Sequence, residues 1–261
     1  MKNIEKYYDY IKDEETKVTV KKIADKAAYV EKNYVSATTE FINPYVAELS
    51  LPIIKYYDIN FELFPSFEDG ERKVFIFAPS YFENIDESEF ITGLRIKNKS
   101  KFRDLSHKDY LGTIMSLGID RSKTGDIFVY EDYADIVIHR DILDYIIFNL
   151  DKIGHNKIET ESIDINDINF KEQEHILLTI NISSMRLDNL VKNLINKSRE
   201  LACNIIKSGH VKINWQVEDR ISKNIKECDI ISISKYGRFK VHRYLGVTKS
   251  GKHKIEIKHY V

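Results

Sequence analysis

This sequence is poor in the residues that break, bend or cross-link a chain, with ten glycines, four prolines, two cysteines and one tryptophan among 261 residues. The two cysteines, Cys203 and Cys228, supply neither a disulfide framework nor the paired spacing of a zinc site. No run approaches the ~20 apolar residues that span a bilayer, and the charged N-terminus lacks the apolar core of a signal peptide. We therefore expect a cytoplasmic protein with no membrane partner.

The loops that enzymes use to bind phosphates or to carry a nucleophile are also missing. The sequence has no Gly-x-Gly-x-x-Gly segment, no P-loop and no Gly-x-Ser-x-Gly elbow. Its eight histidines show no His-x-x-x-His or Glu-paired spacing that would bind a metal. His107, close to Asp109, fits the first turn of a helix better than the role of a general base. These absences predict no catalytic residue, no metal and no cofactor.

The two parts of the chain carry opposite charge, although the whole chain has a net charge of only −1. Residues 182–261 contain 17 Lys and Arg against 7 Asp and Glu, whereas residues 1–181 contain 23 against 34. A basic segment on an acidic carrier indicates an anionic partner. Fixed guanidinium groups suit a folded RNA that is recognised by its shape.

The basic segment has the pattern of two short helices followed by strands. Apolar residues recur at three- and four-residue spacing from Leu187 to Ile195, which predicts a helix with one buried face. Ser198 stands where an N-cap belongs, and a second apolar stripe ends at Ser208-Gly209. Alternating apolar and polar residues after the glycine predict a small sheet.

The polar residues of this segment form the predicted RNA surface. The two helix-start arginines would make forked contacts to phosphates, the lysines would add point charge, and Asn214 would supply a polar contact from the first strand. We expect the cations from Arg186 to Lys212 to lie near one surface of the helical hairpin; the alternative is that the lysines form an ordinary solvated face. The predicted contacts are Arg186, Lys192, Lys197, Arg199, Lys207, Lys212, Asn214 and Arg238.

Short motifs recur along the two helices and the strands of this segment: Arg186-Leu187-Asp188, Ser198-Arg199, Ala202, the run from Gly209 to Asn214, and Gly237-Arg238-Phe239. In these motifs the segment resembles the S4 RNA-binding domain. The turn at Cys228-Asp229 departs from the Gly-Asp that the family usually carries, a difference that affects packing more than RNA contact.

The order of elements upstream predicts an RRM-like domain. Strand 91–97, helix 107–117, strands 126–130 and 134–138, helix 140–151 and strand 157–163 follow one another, which is the β-α-β-β-α-β order of the ferredoxin-like fold. We predict an α+β protein in three parts. These are an N-terminal helical region with the start of a β-hairpin at 1–72, the RRM-like domain at 73–181, and an S4 domain with a C-terminal β-hairpin at 182–261.

A basic loop between the first strand and helix of the RRM-like domain is a candidate second RNA contact. Four of the seven residues from Lys97 to Arg103 are basic, and further basic residues follow. A solvated loop is the equal alternative. The residues of this candidate contact are Arg72, Lys73, Lys101, Arg103, His107, Lys108 and Arg121.

A second set of motifs lies mostly upstream of the basic segment: Phe102-Arg103, the run from Leu105 to Gly112, Leu117-Gly118-Ile119, Arg121, Gly125-Asp126-Ile127, Asn43-Pro44, Glu71-Arg72-Lys73 and Asn214-Trp215. In these residues the chain resembles the YlmH-type RNA-binding proteins. The resemblance implies a bacterial factor that binds ribosomal RNA, and large subunits obstructed by peptidyl-tRNA, in ribosome-associated quality control. It also implies that the central domain lies near the tRNA, and we expect a monomer.

Two other classes of function stay open. S4 domains also occur in RNA-modifying enzymes, and Arg186-Leu187-Asp188 is similar to the catalytic Arg-Leu-Asp of pseudouridine synthases. Its position in the first turn of the basic hairpin favours a helix-start role for Asp188. The other class is a protein-interaction adaptor, linked to cell division, in which the acidic N-terminal part binds another protein.

Overall fold

The computed structural model describes residues 5–11, 13–65, 70–82, 84–100, 103–170 and 175–260. The chain forms two compact units, Met1–Lys171 and Glu172–Val261. Both units combine helices with antiparallel sheets, as the α+β prediction requires. Among the residues described, no helix is long and apolar enough to cross a membrane.

The N-terminal part of the first unit is helical and carries a three-stranded sheet. Asn43 caps the third helix, since its Oδ1 accepts from Val46 N at 2.9 Å, and Pro44 is the first helical residue. The strand order is β1-β3-β2. The elements are α1 (Glu5–Tyr8), α2 (Glu14–Asn33), β1 (Ala37–Thr38), α3 (Pro44–Ile54), β2 (Ile59–Phe64) and β3 (Val74–Pro79).

The rest of the first unit has the predicted ferredoxin-like topology. The elements are β4 (Ile91–Asn98), α4 (His107–Ser116), β5 (Thr124–Val129), β6 (Tyr133–His139), α5 (Leu143–Asn149), β7 (Lys152–Ile153) and β8 (Asn156–Ile163). The strand order is β5-β6-β4-β8-β7 with every pair antiparallel. Tyr110 and Ile114 of α4 and Ile146 of α5 pack with Leu94 and Ile136 in one core, so both helices cover the same face of the sheet.

The two predicted domains upstream of the S4 domain share a core. Val74 and Ile76 of β3 pack with Ile91, Phe128 and Val137 of the central sheet. The boundary predicted at 72/73 falls between β2 and β3, which pair with each other. The face of the central sheet that α4 and α5 do not cover is therefore buried against β3. This packing joins residues 1–72 to the RRM-like domain in a single unit.

The C-terminal unit packs two helices on one face of a six-stranded sheet. The strand order is β11-β10-β12-β13-β14-β9. β9 pairs with β14 along its whole length, so the unit begins about ten residues before the predicted boundary at 181/182. The elements are β9 (His175–Ile182), α6 (Leu187–Ile195), α7 (Arg199–Lys207), β10 (Val211–Ile213), β11 (Gln216–Val217), β12 (Ile230–Ile233), β13 (Gly237–Val247) and β14 (His253–Tyr260).

Candidate nucleic-acid interface

Two arginines at the starts of α6 and α7 converge on one buried carboxylate. Arg186 donates from Nε and Nη2 to the two carboxylate oxygens of Asp188, over 3.1 and 3.3 Å. Arg199 donates from Nε and Nη2 to Oδ2 of the same residue, over 3.0 and 2.5 Å. The Asp188 side chain is 0% exposed, whereas those of Arg186 and Arg199 are 38% and 62% exposed. One carboxylate thus orients two guanidinium groups and leaves much of each accessible.

Helix capping and a distant loop together position this cluster. Ser198 is the N-cap of α7, which makes Arg199 its first helical residue, and Arg186 occupies the N-cap position of α6. The backbone N–H of Asp188 donates to Ile221 O at 3.1 Å, so the loop before β12 holds the start of α6. Both arginines therefore stand at helix N-termini, where the helix dipole also favours an anion.

The Asp188 carboxylate stays ionised because the arginines surround it. Burial acts to raise its pKa, but the hydrogen bonds from Arg199 and Arg186 outweigh burial and hold the pKa below its ordinary value. A carboxylate with a lowered pKa stabilises the folded protein at neutral pH, and this contribution is lost only as the pH falls through the lowered pKa. The cluster therefore keeps both arginines oriented throughout the neutral range.

Three exposed lysines extend the positive surface along the two helices. Lys192 follows Asp188 by four residues on α6, which places it one turn along the helix from the cluster. Lys207 is exposed at the last residue of α7, two turns after Arg199. Lys197 lies in the turn between the helices. We call this set the helical face: Arg186, Lys192, Lys197, Arg199 and Lys207.

Two predicted contacts, Lys212 and Arg238, lie on the other side of the sheet. Lys212 is exposed between Val211 and Ile213, which are buried in the core with α6 and α7. Since successive side chains of a strand point to opposite faces, Lys212 points away from the helices. Arg238 shares this outward face, because Lys212 pairs with Ser232 and Ser232 with Arg238. The expectation that Lys212 lies near the surface of the helical hairpin is thus not met.

Asn214 serves the fold of the C-terminal unit. Its Nδ2 donates to Asp229 Oδ1 at 2.9 Å, and its Oδ1 accepts from Ile230 N at 2.8 Å. Its φ of 48° lies in the left-handed region, which asparagine tolerates better than most residues. Both ends of the amide hold the turn after β10 against β12, so Asn214 lies outside the helical face.

At the candidate second contact, Arg103 is already paired. Its Nη2 and Nη1 donate to Asp109 Oδ1 and Oδ2 over 2.6 and 3.1 Å. The backbone N–H of Ser106 donates to the same carboxylate at 2.8 Å. Hydrogen bonds from Arg103 first, and then from Ser106, hold the pKa of Asp109 well below its ordinary value. Arg103 is therefore bonded to the first turn of α4, although its side chain remains accessible.

The remaining cations of the basic loop are partly neutralised across the sheet. Lys97 pairs with Glu161 at 2.7 Å, and Lys99 pairs with Glu159. At the start of α4, Lys108 is exposed and His107 is half-buried. Lys101 and Phe102 lie outside the described residues. Among the described residues of this predicted contact, Lys108 is therefore the best placed to bind a phosphate.

The other three predicted residues are used inside the first unit. Arg72 Nη2 donates to Phe41 O at 2.7 Å and to Arg121 O at 3.0 Å. Arg121 in turn donates to backbone carbonyls at the start of β5. Lys73 is buried, and its Nζ donates to Pro65 O at 2.6 Å. Burial, reinforced by the neighbouring Arg121, lowers the pKa of Arg72 to about 10. These cations hold loops together and do not form an accessible patch.

A buried carboxylate accompanies these arginines. Asp126 accepts from Glu71 N at 2.9 Å and from Arg72 N at 3.3 Å. Burial, followed by the charge of Glu71, raises the pKa of Asp126 to about 6. The Asp126 carboxylate thus fastens the segment before β3 to β5.

Replacing Arg72 by methionine should reduce stability without affecting RNA binding. The Arg72→Met change leaves two carbonyl acceptors without their donor, which lowers the free energy of unfolding by about 2 kcal/mol. Urea unfolding measures this loss. RNA affinity should stay within about 2-fold of the original protein, because the half-buried guanidinium is already bonded to two backbone carbonyls of the first unit. Lys108→Ala is the matched control, since it removes an exposed charge and should leave the unfolding midpoint unchanged. A large loss of RNA affinity in a fully folded Arg72→Met protein would contradict this interpretation.

Sequence reasoning missed the anchoring role of Asp188 and a basic loop beside it. Lys223 O accepts from Leu187 N at 2.8 Å, so this loop runs along the start of α6. Arg220 in the same loop is exposed, and its Nε and Nη2 donate to Glu218 Oε1 and Oε2 over 2.8 and 2.7 Å. The signal for the cluster in the sequence is an Arg-x-Asp segment with a further arginine eleven residues after the aspartate. This pattern indicates a shared carboxylate only once the starts of α6 and α7 are known to lie together.

Comparisons with known proteins find two family models and two proteins that this chain resembles. Residues 86–167 match the family model described as a putative RNA-binding domain in YlmH, and residues 185–231 match the S4 domain. The chain is 27% identical over 227 residues to the ribosome-associated protein quality control protein P2 of Bacillus subtilis (strain 168), an alignment that covers 87% of this chain and 88% of that protein. Among solved structures it is similar to the cell division protein ylmH from Streptococcus pneumoniae, with 29% identity and a TM-score of 0.48, over 57% of this chain and 91% of that chain.

Proposed function

We propose that this chain, which carries a YlmH-type RNA-binding domain followed by an S4 domain, is a non-catalytic factor that binds the ribosomal RNA of the large subunit. The similarity to a ribosome-associated quality control protein supports the same partner here. By this proposal the factor acts on large subunits that are obstructed by peptidyl-tRNA. Its S4 domain docks on ribosomal RNA, and its RRM-like domain lies near the tRNA.

The observation that carries the proposal is the pair of arginines on Asp188. Guanidinium groups recognise phosphates through fixed, forked hydrogen bonds, and orientation before binding removes part of the entropy cost of forming the complex. Arg186 and Arg199 are oriented in this way and remain accessible at two helix N-termini. A rigid cationic surface of this kind suits a folded RNA whose phosphates are themselves fixed in space.

The same cluster disfavours the enzyme alternative. A catalytic aspartate must reach the substrate, but Asp188 is enclosed and accepts hydrogen bonds from both arginines. Its lowered pKa also makes it a weak general base. The resemblance of Arg186-Leu187-Asp188 to the motif of pseudouridine synthases is therefore explained by a structural role in the RNA-binding hairpin.

A salt titration with purified large subunits tests the proposal. If the five cations of the helical face each contact a phosphate, the logarithm of the association constant should fall with the logarithm of salt concentration with a slope of up to about −4.5. Docking through protein surfaces alone would give a much flatter dependence. Pelleting through a sucrose cushion between 50 and 300 mM salt gives the slope.

The position of the RRM-like domain is tested with subunits that do or do not carry peptidyl-tRNA. Binding should be tighter to the obstructed subunits, and Lys108→Glu should remove that difference while leaving binding to empty subunits unchanged. Equal affinity of the original protein for both kinds of subunit would contradict the tRNA contact and leave the ribosomal RNA contact standing.

A further inference from the structure

The sheet of the C-terminal unit carries a second cationic surface, on the face that α6 and α7 do not cover. Phe239 and Val241 point into the core, so Lys240 between them points outward, as Lys212 does. The same alternation on β14 places Lys258 outward beside the buried Ile257. The register then sets these side chains in rows across neighbouring strands.

The rows are dominated by positive charge. The first joins Lys212, through Ser232, to Arg238 and Tyr260, and the second joins Lys240 to Lys258. Among the strand residues on this face that the structure describes, Glu256 is the acidic one, and it pairs in register with Arg243. We call this set the sheet face: Lys212, Arg238, Lys240, Arg243, Lys254 and Lys258.

Two details of the sheet face favour RNA over a protein partner. Protein interfaces concentrate apolar side chains at the centre and charges at the rim. The sheet face has the opposite arrangement, with lysines and Arg238 on the inner strands and the exposed apolar residues Leu177 and Val217 on the edge strands β9 and β11. The Arg238 guanidinium carbon also lies over the Tyr260 ring, 4.8 Å from its centroid, and an arginine beside an aromatic ring is a combination that RNA-binding surfaces use to contact phosphates and bases.

The turn of the β13–β14 hairpin extends the positive charge beyond the sheet. Lys249 and Lys252 are exposed in this turn, which is closed by a hydrogen bond from Thr248 N to Lys252 O at 2.7 Å. Lys254 follows at the start of β14 and is also exposed. The positive surface therefore continues from the sheet to the end of the hairpin.

We propose that the sheet face binds a second segment of RNA, so that the C-terminal unit bridges two RNA segments, one on each side. The helical face and the sheet face are separated by the core of the unit and point in opposite directions. A duplex behaves as a stiff rod over the length of a small domain, so one duplex on the helical face cannot reach Lys212 or Lys258. The inference rests on the proposed function in taking RNA as the partner.

A bridging assay on the full-length protein tests the inference. A biotinylated RNA hairpin of about one helical turn is immobilised, the protein is bound, and capture of a second, fluorescent hairpin is measured. The sheet-face variant is Lys212→Glu/Lys254→Glu, and the matched helical-face variant is Lys192→Glu/Lys207→Glu. All four lysines are exposed, and both variants change the net charge equally.

The original protein should capture the second hairpin, and the sheet-face variant should bind one hairpin within about 3-fold of the original affinity while losing at least 80% of the capture. Capture that persists in the sheet-face variant, or a complex of the original protein with a single hairpin at saturation, would overturn the inference. An acidic protein fragment that binds the sheet face while the second hairpin does not would overturn it as well. Full affinity for the first hairpin in the helical-face variant would instead count against the proposed function.

Discussion

Replacing Arg186 and Arg199 together by alanine should weaken binding to the large ribosomal subunit by roughly 100-fold, because two charge-assisted phosphate contacts are lost. The same change should also destabilise the protein, since Asp188 loses the hydrogen bonds that compensate its burial. An uncompensated buried charge costs about 3–5 kcal/mol, so unfolding measurements should show a loss of this order at neutral pH. The double variant alone therefore mixes two effects.

A triple variant separates recognition from stability. Arg186→Ala/Asp188→Asn/Arg199→Ala removes the stranded charge, so its free energy of unfolding should recover by about half or more of the loss, while RNA binding stays weak. The matched control is Lys55→Ala/Lys235→Ala, which removes two exposed cations that do not belong to the helical face and should lower affinity by no more than about 3-fold. Subunit binding at the original affinity by a folded triple variant would refute the role of the helical face.

Replacing Asp188 alone by asparagine should reduce RNA affinity by about 10-fold, although the change makes the protein more positive. A carboxylate beside a phosphate-binding surface would be expected to repel RNA, so simple charge counting predicts tighter binding. The cluster geometry predicts the opposite, because Asp188 accepts four hydrogen bonds from the two guanidinium groups and so fixes their direction. Fluorescence anisotropy with a labelled ribosomal RNA fragment measures the affinity.

Glu200 provides the control for Asp188. It is an exposed acidic residue in the first turn of α7, and Glu200→Gln removes the same charge without touching the arginines. We expect this variant to bind RNA with equal or slightly higher affinity. If Asp188→Asn also strengthened binding, Asp188 would act as a repulsive charge and its positioning role would be excluded. Thermal unfolding of both variants shows whether the helices remain folded.

Much of the local structure follows from the sequence, because caps and periodicity act over a few residues. The N-cap at Asn43, the helix start at Ser198 and the order of strands and helices from Ile91 to Ile163 depend on neighbouring residues, and the structure confirms them. The excess of positive charge at the C-terminal end is likewise visible in composition alone. These features were sufficient to indicate an RNA-binding hairpin and the residues at its helix starts.

Which side chains share a surface depends on contacts between residues that are far apart in the chain. Lys212 and Arg199 read alike as cations of one basic segment, but strand pairing turns Lys212 to the opposite side of the sheet. Arg72 and Arg121 look like available cations in the sequence, yet both are half-buried and their guanidinium groups donate to backbone carbonyls of the first unit. Periodicity predicts which face of each strand or helix is buried, one element at a time. Which other element packs on that face is decided only when distant parts of the chain come together. That packing then determines how accessible the charged side chains are and how their pKa values shift.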